Sequence, residues 1–383
     1  MSRGKYIGSG GVIQCTIRLD KLGTACSLPR TQNKLAIVIS FLRRGGKNRG
    51  ETEPMASSQA PSAVSPETLT RIYRDMVRSR TLDTKLVELS ARKKLVLNWH
   101  SGEGQEGLCA AYSQLRADDV CGYTHRGCYV WVCKGLDLGP VVAELSGKAT
   151  GTSNGKGGSH VAGWKQGVYG RSGMQGGHFP IYTGSAEAAK MLGIDRVAVC
   201  SFGDGCATSG NLHEAAAHAA VRKLAVIFVC ENNGFNMSVR AAAMWGQPDI
   251  AKLAIGYGMP YSIVDGNDAI ALAEVAHEAI ARARGGGGPT FIEAKTYRMR
   301  GHQEADRELS GYRTRVEVES WRPKDPIDRL RSALVEEMKV LTSSDVNGFD
   351  ADAAQEVQRA AEFAEQSPAP DPKDAWSGVY AAG

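Results

Sequence analysis

The chain has no apolar run that approaches the roughly 18 residues needed to cross a membrane. The most hydrophobic stretch near the start, from Leu35 to Leu42, is far too short. Hydrophobic residues make up 42% of the 383 residues and charged residues 23%, which is typical of a globular protein in water. We therefore expect no membrane-spanning segment, and enough chain for one large domain or two ordinary ones.

The chain also has no Cys-x-x-Cys pair, and its nine cysteines are an odd number. These features argue against a framework of disulfides and favour a reducing compartment. Cys200 and Cys230 fall within predicted core strands, where we expect small hydrophobic side chains and not metal ligands. We expect a bacterial cytoplasmic protein, with the mitochondrial matrix as the second choice.

A net positive charge is confined to the first 54 residues. The net charge is +5, but residues 1–54 carry +7 and the remainder carries −2. A general affinity for nucleic acid is therefore not expected.

Residues 1–64 do not resemble part of a packed domain. They combine scattered basic residues with Gly8-Ser9-Gly10-Gly11 and a Ser- and Pro-containing stretch near residue 60. We expect a disordered or mis-annotated N-terminal extension, with Met55 as the native start in the second case. A mitochondrial presequence is the competing interpretation, because the segment is basic and poor in acids. Helical amphipathic periodicity is weak there, which favours the first two.

Strands and helices alternate after Ser65, which predicts an α/β fold with a mainly parallel sheet flanked by helices. We expect one domain over residues 65–370 and a C-terminal tail over 371–383. The predicted strands are 197–202, 225–230 and 290–295, and the predicted helices include 66 toward 95, a segment around 141–145, 179–192, 209–221 and 269–283. Residues 151–177 form a long glycine-rich loop, and loops of this length are usually functional.

The sequence Gly203-Asp204-Gly205 follows one predicted buried strand, and Asn233 follows the next. Gly-Asp-Gly alone is a common turn. In a right-handed strand-helix-strand unit, however, both polar residues emerge at the same carboxyl edge of the sheet, where ligands bind. Because Mg²⁺ prefers oxygen ligands and is usually shared with phosphates, the pair predicts a magnesium site against a diphosphate.

Two nucleotide-binding motifs are excluded by spacing. The glycines around Gly205 do not match the dinucleotide pattern. The stretch from Gly151 to Gly157 lacks one residue, and the Ser or Thr after Lys156, that a P-loop requires.

Several motifs, in order, resemble the alpha subunit of the decarboxylating first component of 2-oxo acid dehydrogenase complexes. They extend from about Pro66 to about Leu330. They are Thr124-His125-Arg126-Gly127, Gly155-Lys156-Gly157-Gly158-Ser159, Gly203-Asp204-Gly205 with Asn232-Asn233, Val264-Asp265-Gly266-Asn267-Asp268, Thr296-Tyr297-Arg298 with Gly301-His302, and Tyr312-Arg313-Thr314.

This resemblance implies a thiamine diphosphate-binding fold with Mg²⁺. It implies that Asp204, Asn233 and the carbonyl of Phe235 hold the metal. His125 and Arg126, with the backbone of Gly205 and Cys206, would meet the diphosphate. The loop with Gly173 and Gln175 would contact the aminopyrimidine. His302 would reach both the diphosphate and the active-site channel as a catalytic proton carrier.

The resemblance further implies decarboxylation of a small 2-oxo acid, most simply pyruvate, and transfer of the acyl group to a lipoyl-bearing acyltransferase. A beta subunit would supply the pyrimidine-binding domain, in an assembly of two alpha and two beta chains. The alternatives are an acetoin dehydrogenase alpha subunit and a lipoyl-independent, split transketolase-like enzyme of secondary metabolism. A non-catalytic paralogue is disfavoured, because Asp204, Asn233, Arg126 and His302 are retained together.

Four positions depart from the family pattern. Cys128 stands where many relatives have histidine, and Gln175 where relatives generally have an aliphatic residue. His160 is displaced by one position from a Ser-Met-His pattern, and it is with His178 a weaker site candidate. Gln303 stands where regulated animal enzymes carry a phosphorylatable serine, so control by phosphorylation there is not expected.

Overall fold

A computed structural model describes residues 64–306 and 311–378, and these residues form one compact unit. Apart from Val64, the predicted extension over residues 1–64 lies outside the described residues, as does the end of the predicted tail over 371–383. Those boundaries therefore stay predictions. Within the described ranges, no helix is long and apolar enough to cross a membrane.

A parallel sheet lies at the centre of the unit. Its strands, in spatial order, are β1 (Val120–Cys121), β2 (Ala198–Gly203), β3 (Val226–Asn232), β7 (Thr290–Lys295) and β6 (Tyr261–Asp265). A short antiparallel pair, β4 (Phe235–Asn236) and β5 (Val239–Arg240), follows β3. The predicted mainly parallel α/β class is confirmed. The register pairs Gly203 with Glu231 and Asn232 with Lys295, so the residues that follow β2, β3 and β7 emerge side by side.

Helices cover both faces of the sheet. They are α1 (Pro66–Ala91), α2 (Cys109–Tyr112), α3 (Cys128–Cys133), α4 (Leu138–Leu145), α5 (Phe179–Met191), α6 (Gly210–Arg222), α7 (Ala241–Met244), α8 (Leu253–Tyr257), α9 (Ala269–Arg284), α10 (Arg315–Trp321), α11 (Pro326–Ser332) and α12 (Ser343–Gln366). The predicted helices over 179–192, 209–221 and 269–283 correspond to α5, α6 and α9. The predicted segment around 141–145 lies within α4.

Alternate residues of the central strands enter two separate hydrophobic cores. Val199, Ile227 and Ile292 face the core beneath α1, α3, α4 and α9. Cys200 and Phe228 face the opposite core, beneath α5 and α6. Burial of both faces explains why the strands are continuous apolar runs and not alternating ones. Cys200 and Cys230 are fully buried in the second core, as small hydrophobic residues are.

The first long helix ends earlier than the sequence predicts. Ser65 caps its start by accepting a hydrogen bond from the Thr68 N–H, and Pro66 occupies the first turn. The helix stops at Ala91, not near Leu95, because Lys93 adopts a left-handed backbone conformation with φ of 55°. The Lys94 N–H then reaches back to the Leu89 carbonyl at 2.9 Å, which is the pairing of a Schellman termination. This places residues 95–105 in the loop that leads to the sheet edge.

Candidate functional site

A cavity of about 250 Å³ opens at the carboxyl edge of the sheet, beside the ends of β2 and β3. It brings together nine of the ten predicted site residues, drawn from five separate segments. The lining comprises His125, Arg126, Gln175, Gly203, Asp204, Gly205, Cys206, Asn233, Phe235, Asn236, Met237, Arg298 and His302. Gly173 lies on the exposed rim loop, two residues from Gln175, and does not line the cavity.

Asp204 and Asn233 present oxygen atoms to this cavity. Asp204 is 2% exposed, and its Oδ2 atom has no hydrogen-bond partner within the described chain. Burial raises the pKa of this carboxyl to about 6. Asn233 donates from Nδ2 to the Gln105 side chain at 3.1 Å and accepts the Phe235 N–H on Oδ1 at 3.2 Å. The amide is therefore held in one orientation, and its oxygen keeps a second lone pair for a ligand.

Gly205 is required by a close approach. A Cβ atom at this position would lie 2.5 Å from Cγ of Asn236, which is closer than side chains tolerate. Glycine therefore lets the β4 segment close over the single turn of 3-10 helix at Asp204–Thr208. Cys206 is buried in that turn, and burial raises the pKa of its thiol to about 12, so the group stays a neutral thiol.

Arg126 and Arg298 are the two cationic residues of the cavity, and both are almost fully buried. Arg126 donates to the carbonyls of Ser101 and His302, at 2.7 Å each, and Arg298 donates to the carbonyl of Met237 and the hydroxyl of Tyr312. Neither has a carboxylate ion-pair partner in the described part of the chain. Burial lowers the pKa of Arg126 to about 9 and also lowers that of Arg298. Two buried guanidinium groups with no ion-pair partner among the described residues are suited to bind an anion.

Three histidines meet at the mouth of the cavity. The rings of His100, His125 and His302 have centroids 4.8–5.6 Å apart. Burial, followed by the charge of Arg126, lowers the pKa of His302 to about 4 and that of His100 to about 3. The same causes hold the pKa of His125 well below its ordinary value. All three imidazoles are therefore neutral at pH 7.

The tautomer of His302 follows from its neighbour. Arg126 lies 3.2 Å from Nδ1 of His302, and a guanidinium can only donate. Nδ1 must then accept, so the neutral ring carries its proton on Nε2. That proton is available on the side of the ring away from Arg126.

The histidine cluster alone could suggest a transition-metal site, because its ring nitrogens lie within 4.8 Å of one another. The surrounding charges argue against this. Arg126 and Arg171 both lower the pKa values of His100 and His125 by their positive charge. A divalent cation there would face the same repulsion, so the cluster is better suited to anions and to proton transfer.

A buried carboxylate on α1 holds the loop that carries His100. Asp83 accepts hydrogen bonds from the Trp99 ring at 2.7 Å, the Ser101 hydroxyl at 2.5 Å and the Gly102 N–H at 3.1 Å. The carbonyl of Ser101 in turn accepts from Arg126. Asp83 therefore positions both neighbours of His100 and one contact of Arg126 without lining the cavity.

Glu231 plays a comparable part beneath the Thr124–Arg126 segment. It is 2% exposed and accepts hydrogen bonds from Thr124, Tyr129 and Ser201. Burial raises the pKa of its carboxyl. Three hydroxyl donors around one carboxyl fix the end of β3 against the start of α3.

The glycine-rich stretch from Gly151 to Gly158 is not a phosphate loop. Its N–H groups converge on the fully buried carboxylate of Glu144, which accepts from Ser153 at 2.7 Å, Gly155 at 3.0 Å and Gly157 at 2.6 Å. Lys156 points to Ser377, near the C-terminus. The loop's anion-binding groups are thus occupied by the protein's own side chain.

The remaining sequence candidates lie outside the cavity. His178 is buried and bonds the Ser201 carbonyl through Nε2 at 2.9 Å, which is a structural role. His160 is exposed beside Gly173. Cys128 is 2% exposed in the core under α1, where burial raises the pKa of its thiol, so it does not replace a site histidine.

Sequence reasoning missed His100 and Arg298 as site residues. Arg298 follows the end of β7, so the argument that placed Asp204 and Asn233 at the carboxyl edge applied to it as well. His100 has no such signal. It lies in a loop, and only the packing of that loop on Asp83 brings it to His125 and His302.

A parallel sheet with an oxygen-ligand site and an anion site at its carboxyl edge is characteristic of enzymes that hold a phosphorylated cofactor. The model of the family described as the dehydrogenase E1 component matches residues 73–373. The chain therefore belongs to the dehydrogenase E1 component family, an oxidoreductase family whose members use thiamine diphosphate.

Three curated relatives illustrate what the chain is similar to. The chain is 38% identical over 315 residues to the alpha subunit of acetoin:2,6-dichlorophenolindophenol oxidoreductase of Bacillus subtilis, covering 81% of this chain and 92% of that one. It is 33% identical to the protein of the same name from Cupriavidus necator, covering 86% and 99%. It is 34% identical to the pyruvate dehydrogenase E1 component subunit alpha of Porphyra purpurea, covering 78% and 89%.

The cavity fits the diphosphate end of that cofactor. Among the described residues, Arg126 and Arg298 have no ion-pair partner, and one buried oxygen of Asp204 has no hydrogen-bond partner, so a bound anion together with a bound cation would satisfy these groups. The rim loop with Gly173 and Gln175 is exposed, and the cavity is small for a whole cofactor.

Proposed function

We propose that this chain, together with a beta subunit, decarboxylates a small 2-oxo acid, with pyruvate as the first candidate, and passes the acyl group to a lipoyl-bearing acyltransferase. The observation that carries the proposal is the pair of buried, uncompensated arginines beside the unpartnered Asp204 oxygen. When bound, thiamine diphosphate supplies the carbon nucleophile and the electron sink for breaking the bond to the carboxylate.

The chain's own residues would bind and orient that cofactor. Asp204, Asn233 and the Phe235 carbonyl offer Mg²⁺ the oxygen ligands that it prefers. Arg126 and Arg298 would meet the diphosphate, and desolvation would make these contacts stronger than they are in water. Residues 173–176 would contact the aminopyrimidine of the cofactor, whose binding domain the beta subunit would supply.

His302 is the proposed catalytic residue. It holds a proton on Nε2 and is neutral at pH 7, so it can donate a hydrogen bond to a developing oxyanion at the mouth of the cavity. The rings of His100 and His125 pack against the ring of His302.

Acetoin cleavage is the second candidate, because two relatives carry acetoin in their names at similar identity. Charge favours the 2-oxo acid. Acetoin is neutral, whereas Arg171 lies on the rim loop with no carboxylate ion-pair partner among the described residues. A positive charge of this kind attracts carboxylate substrates. A lipoyl-independent acyl transfer remains the third candidate, and bacterial cytoplasm remains the proposed location.

The deciding experiment is calorimetric binding of thiamine diphosphate to the chain alone and co-expressed with its beta-like partner, with and without Mg²⁺. We expect Mg²⁺-dependent binding that is tight only with the partner. Turnover of pyruvate, branched 2-oxo acids and acetoin is then compared, first with 2,6-dichlorophenolindophenol and then with a lipoylated domain as acceptor.

Each outcome separates the candidates. Acetoin turnover without pyruvate turnover would move the assignment to the second candidate. Activity with the dye but not with the lipoylated domain would favour the lipoyl-independent enzyme. Absence of cofactor binding in the presence of the partner would refute the proposal as a whole.

A further inference from the structure

Arg171 is a cation that the proposed cofactor site does not use. It lies on the rim loop and is partly buried, but it does not line the cavity that contains Asp204. Its guanidinium donates from Nε to the Ser159 carbonyl at 3.3 Å and from one terminal nitrogen to the Ser159 hydroxyl. Ser159 is itself 7% exposed, and its carbonyl also accepts from Tyr123. The guanidinium is therefore held in a fixed position.

Arg171 has no carboxylate ion-pair partner among residues 64–306 and 311–378, and its second terminal nitrogen makes no hydrogen bond to those residues. Burial lowers the pKa of Arg171. An immobilised guanidinium with a free donor edge is suited to a carboxylate.

Two short links place Arg171 at the rim beside the histidines. Arg171 lies four residues before Gln175, which lines the cavity. Ser159, which holds the Arg171 guanidinium, also accepts a hydrogen bond from Tyr123, two residues before His125. The positive charge of Arg171 lowers the pKa values of His100 and His125, in agreement with this position. Arg171 therefore lies on the rim next to the histidine cluster, whereas Arg298 lines the cavity itself.

Charge balance separates the two sides. With the cofactor in place, the negative charges of the diphosphate and Asp204 would be roughly matched by Mg²⁺, Arg126 and Arg298. Arg171, on the rim loop, would not take part in this balance. A 2-oxo acid lying across the cluster has its carbonyl and its carboxylate on adjacent carbons, so one end can face His302 while the other faces the rim.

We propose that Arg171 is a specificity-determining residue that binds the substrate carboxylate and so selects 2-oxo acids over neutral hydroxyketones. This inference rests on the proposed function. It extends that function by naming the residue of the rim loop that recognises the negative charge of the substrate.

The test compares Arg171→Gln and Arg171→Lys in the assembled alpha–beta protein loaded with thiamine diphosphate and Mg²⁺. The control is Lys165→Gln, which removes a positive charge from an exposed position of the same glycine-rich region. For Arg171→Gln we expect KM for pyruvate to rise about 10- to 100-fold, as for loss of one charge-assisted hydrogen bond. The kcat for pyruvate and the KM for acetoin should change less than about twofold. Arg171→Lys should fall between wild type and Arg171→Gln, and Lys165→Gln should match wild type.

A second readout is independent of turnover. Calorimetry of oxamate, a carboxylate that is not decarboxylated, should show binding to the wild-type assembly that Arg171→Gln weakens by a similar factor and that added salt also weakens. Unchanged pyruvate KM in Arg171→Gln, or equal losses for pyruvate and acetoin, would overturn the assignment. If the wild-type assembly uses no 2-oxo acid, the proposed function fails. Oxamate binding then tests the role of Arg171 independently. Weaker oxamate binding in Arg171→Gln than in the wild type supports a carboxylate site at Arg171, and equal binding refutes it.

Discussion

The loop around Gly155 and the cavity beside Asp204 both gather glycines, backbone N–H groups and buried charge, yet they differ in what is left over. In the loop, the Glu144 carboxylate accepts three N–H groups and is itself fully buried. In the cavity, Arg126 and Arg298 are buried with no ion-pair partner, and one oxygen of Asp204 is buried with no hydrogen-bond partner, among the residues that the structure describes. Since buried polar groups are normally paired, the unpaired set marks where a ligand belongs. Glycine content alone would have pointed to both places.

The largest expected effect comes from the unpaired acid. Asp204→Asn should weaken Mg²⁺-dependent binding of thiamine diphosphate by roughly 100-fold or more, because a charged metal ligand is lost. The measurement is calorimetry on the assembly with the beta-like partner.

The same variant should be more stable than the wild type at pH 7 to 8. A folded-state pKa of about 6, raised from 3.8 by burial, means that the ionised carboxylate destabilises the fold. The cost develops as pH rises from about 4 to 6 and corresponds to at most about 3 kcal/mol. In urea unfolding, Asp204→Asn should therefore have a higher free energy of unfolding than the wild type above pH 6, and this difference should disappear near pH 4. Equal stability at pH 8 would contradict the unpaired state of Asp204.

The next largest effect concerns Asp83, a carboxylate that positions residues of the cavity without lining it. Asp83→Asn places an amide among three donors, so we expect a loss of about 2–3 kcal/mol of unfolding free energy. It should also weaken inorganic pyrophosphate binding about tenfold, because Ser101 no longer orients Arg126. Asp75→Asn is the matched control. Asp75 is also a buried carboxylate of α1, but it bonds Ser113 and Arg78, away from the cavity. It should lower stability and leave pyrophosphate binding unchanged, and parallel losses in both variants would refute the positioning role.

In the glycine-rich loop, whose N–H groups are paired with Glu144, Glu144→Gln should lower stability and leave cofactor binding unchanged. The loop would lose a charged acceptor for three N–H groups, and we expect a loss of about 1–3 kcal/mol in urea unfolding. Cofactor affinity should stay within about twofold, because the loop does not line the cavity. A large fall in affinity with unchanged stability would show that the loop is functional rather than structural.

The smallest effect concerns the neutral histidines. His100 has a folded pKa near 3, depressed mainly by burial, so the unfolded chain binds more protons below its ordinary value of 6.5. The stability that the protein has with a neutral His100 is therefore lost as pH falls from 6.5 toward 3. Glutamine does not titrate, so the unfolding free energy of His100→Gln should rise relative to that of the wild type by about 1–2 kcal/mol between pH 6.5 and pH 5. A pH-independent difference between the two proteins would show that His100 is not held neutral.

The fold class was predictable from the sequence because both faces of the sheet are covered. Such strands are continuous apolar runs, and the three predicted strands correspond to β2, β3 and β7. β1, with two residues, and β6, whose pattern includes the exposed Ile263, offered weaker signals and were not predicted. The helix α12 was missed as well, although Thr342 and Asp345 form a capping box at its start.

The sequence by itself determined the parallel sheet, the edge at which polar residues emerge, and the position of Asp204 and Asn233 together at that edge. Strand ends and their short loops are local features of the chain. The resemblance that it carried to dehydrogenase alpha subunits is confirmed by the family match. Tertiary structure alone decided that His100 joins His125 and His302, that the Glu144 carboxylate binds the N–H groups of the glycine-rich loop, and that Arg171 has no ion-pair partner within the described part of the chain. Those facts depend on contacts between groups far apart in the chain, and on charges that burial leaves unpaired, which no local pattern records.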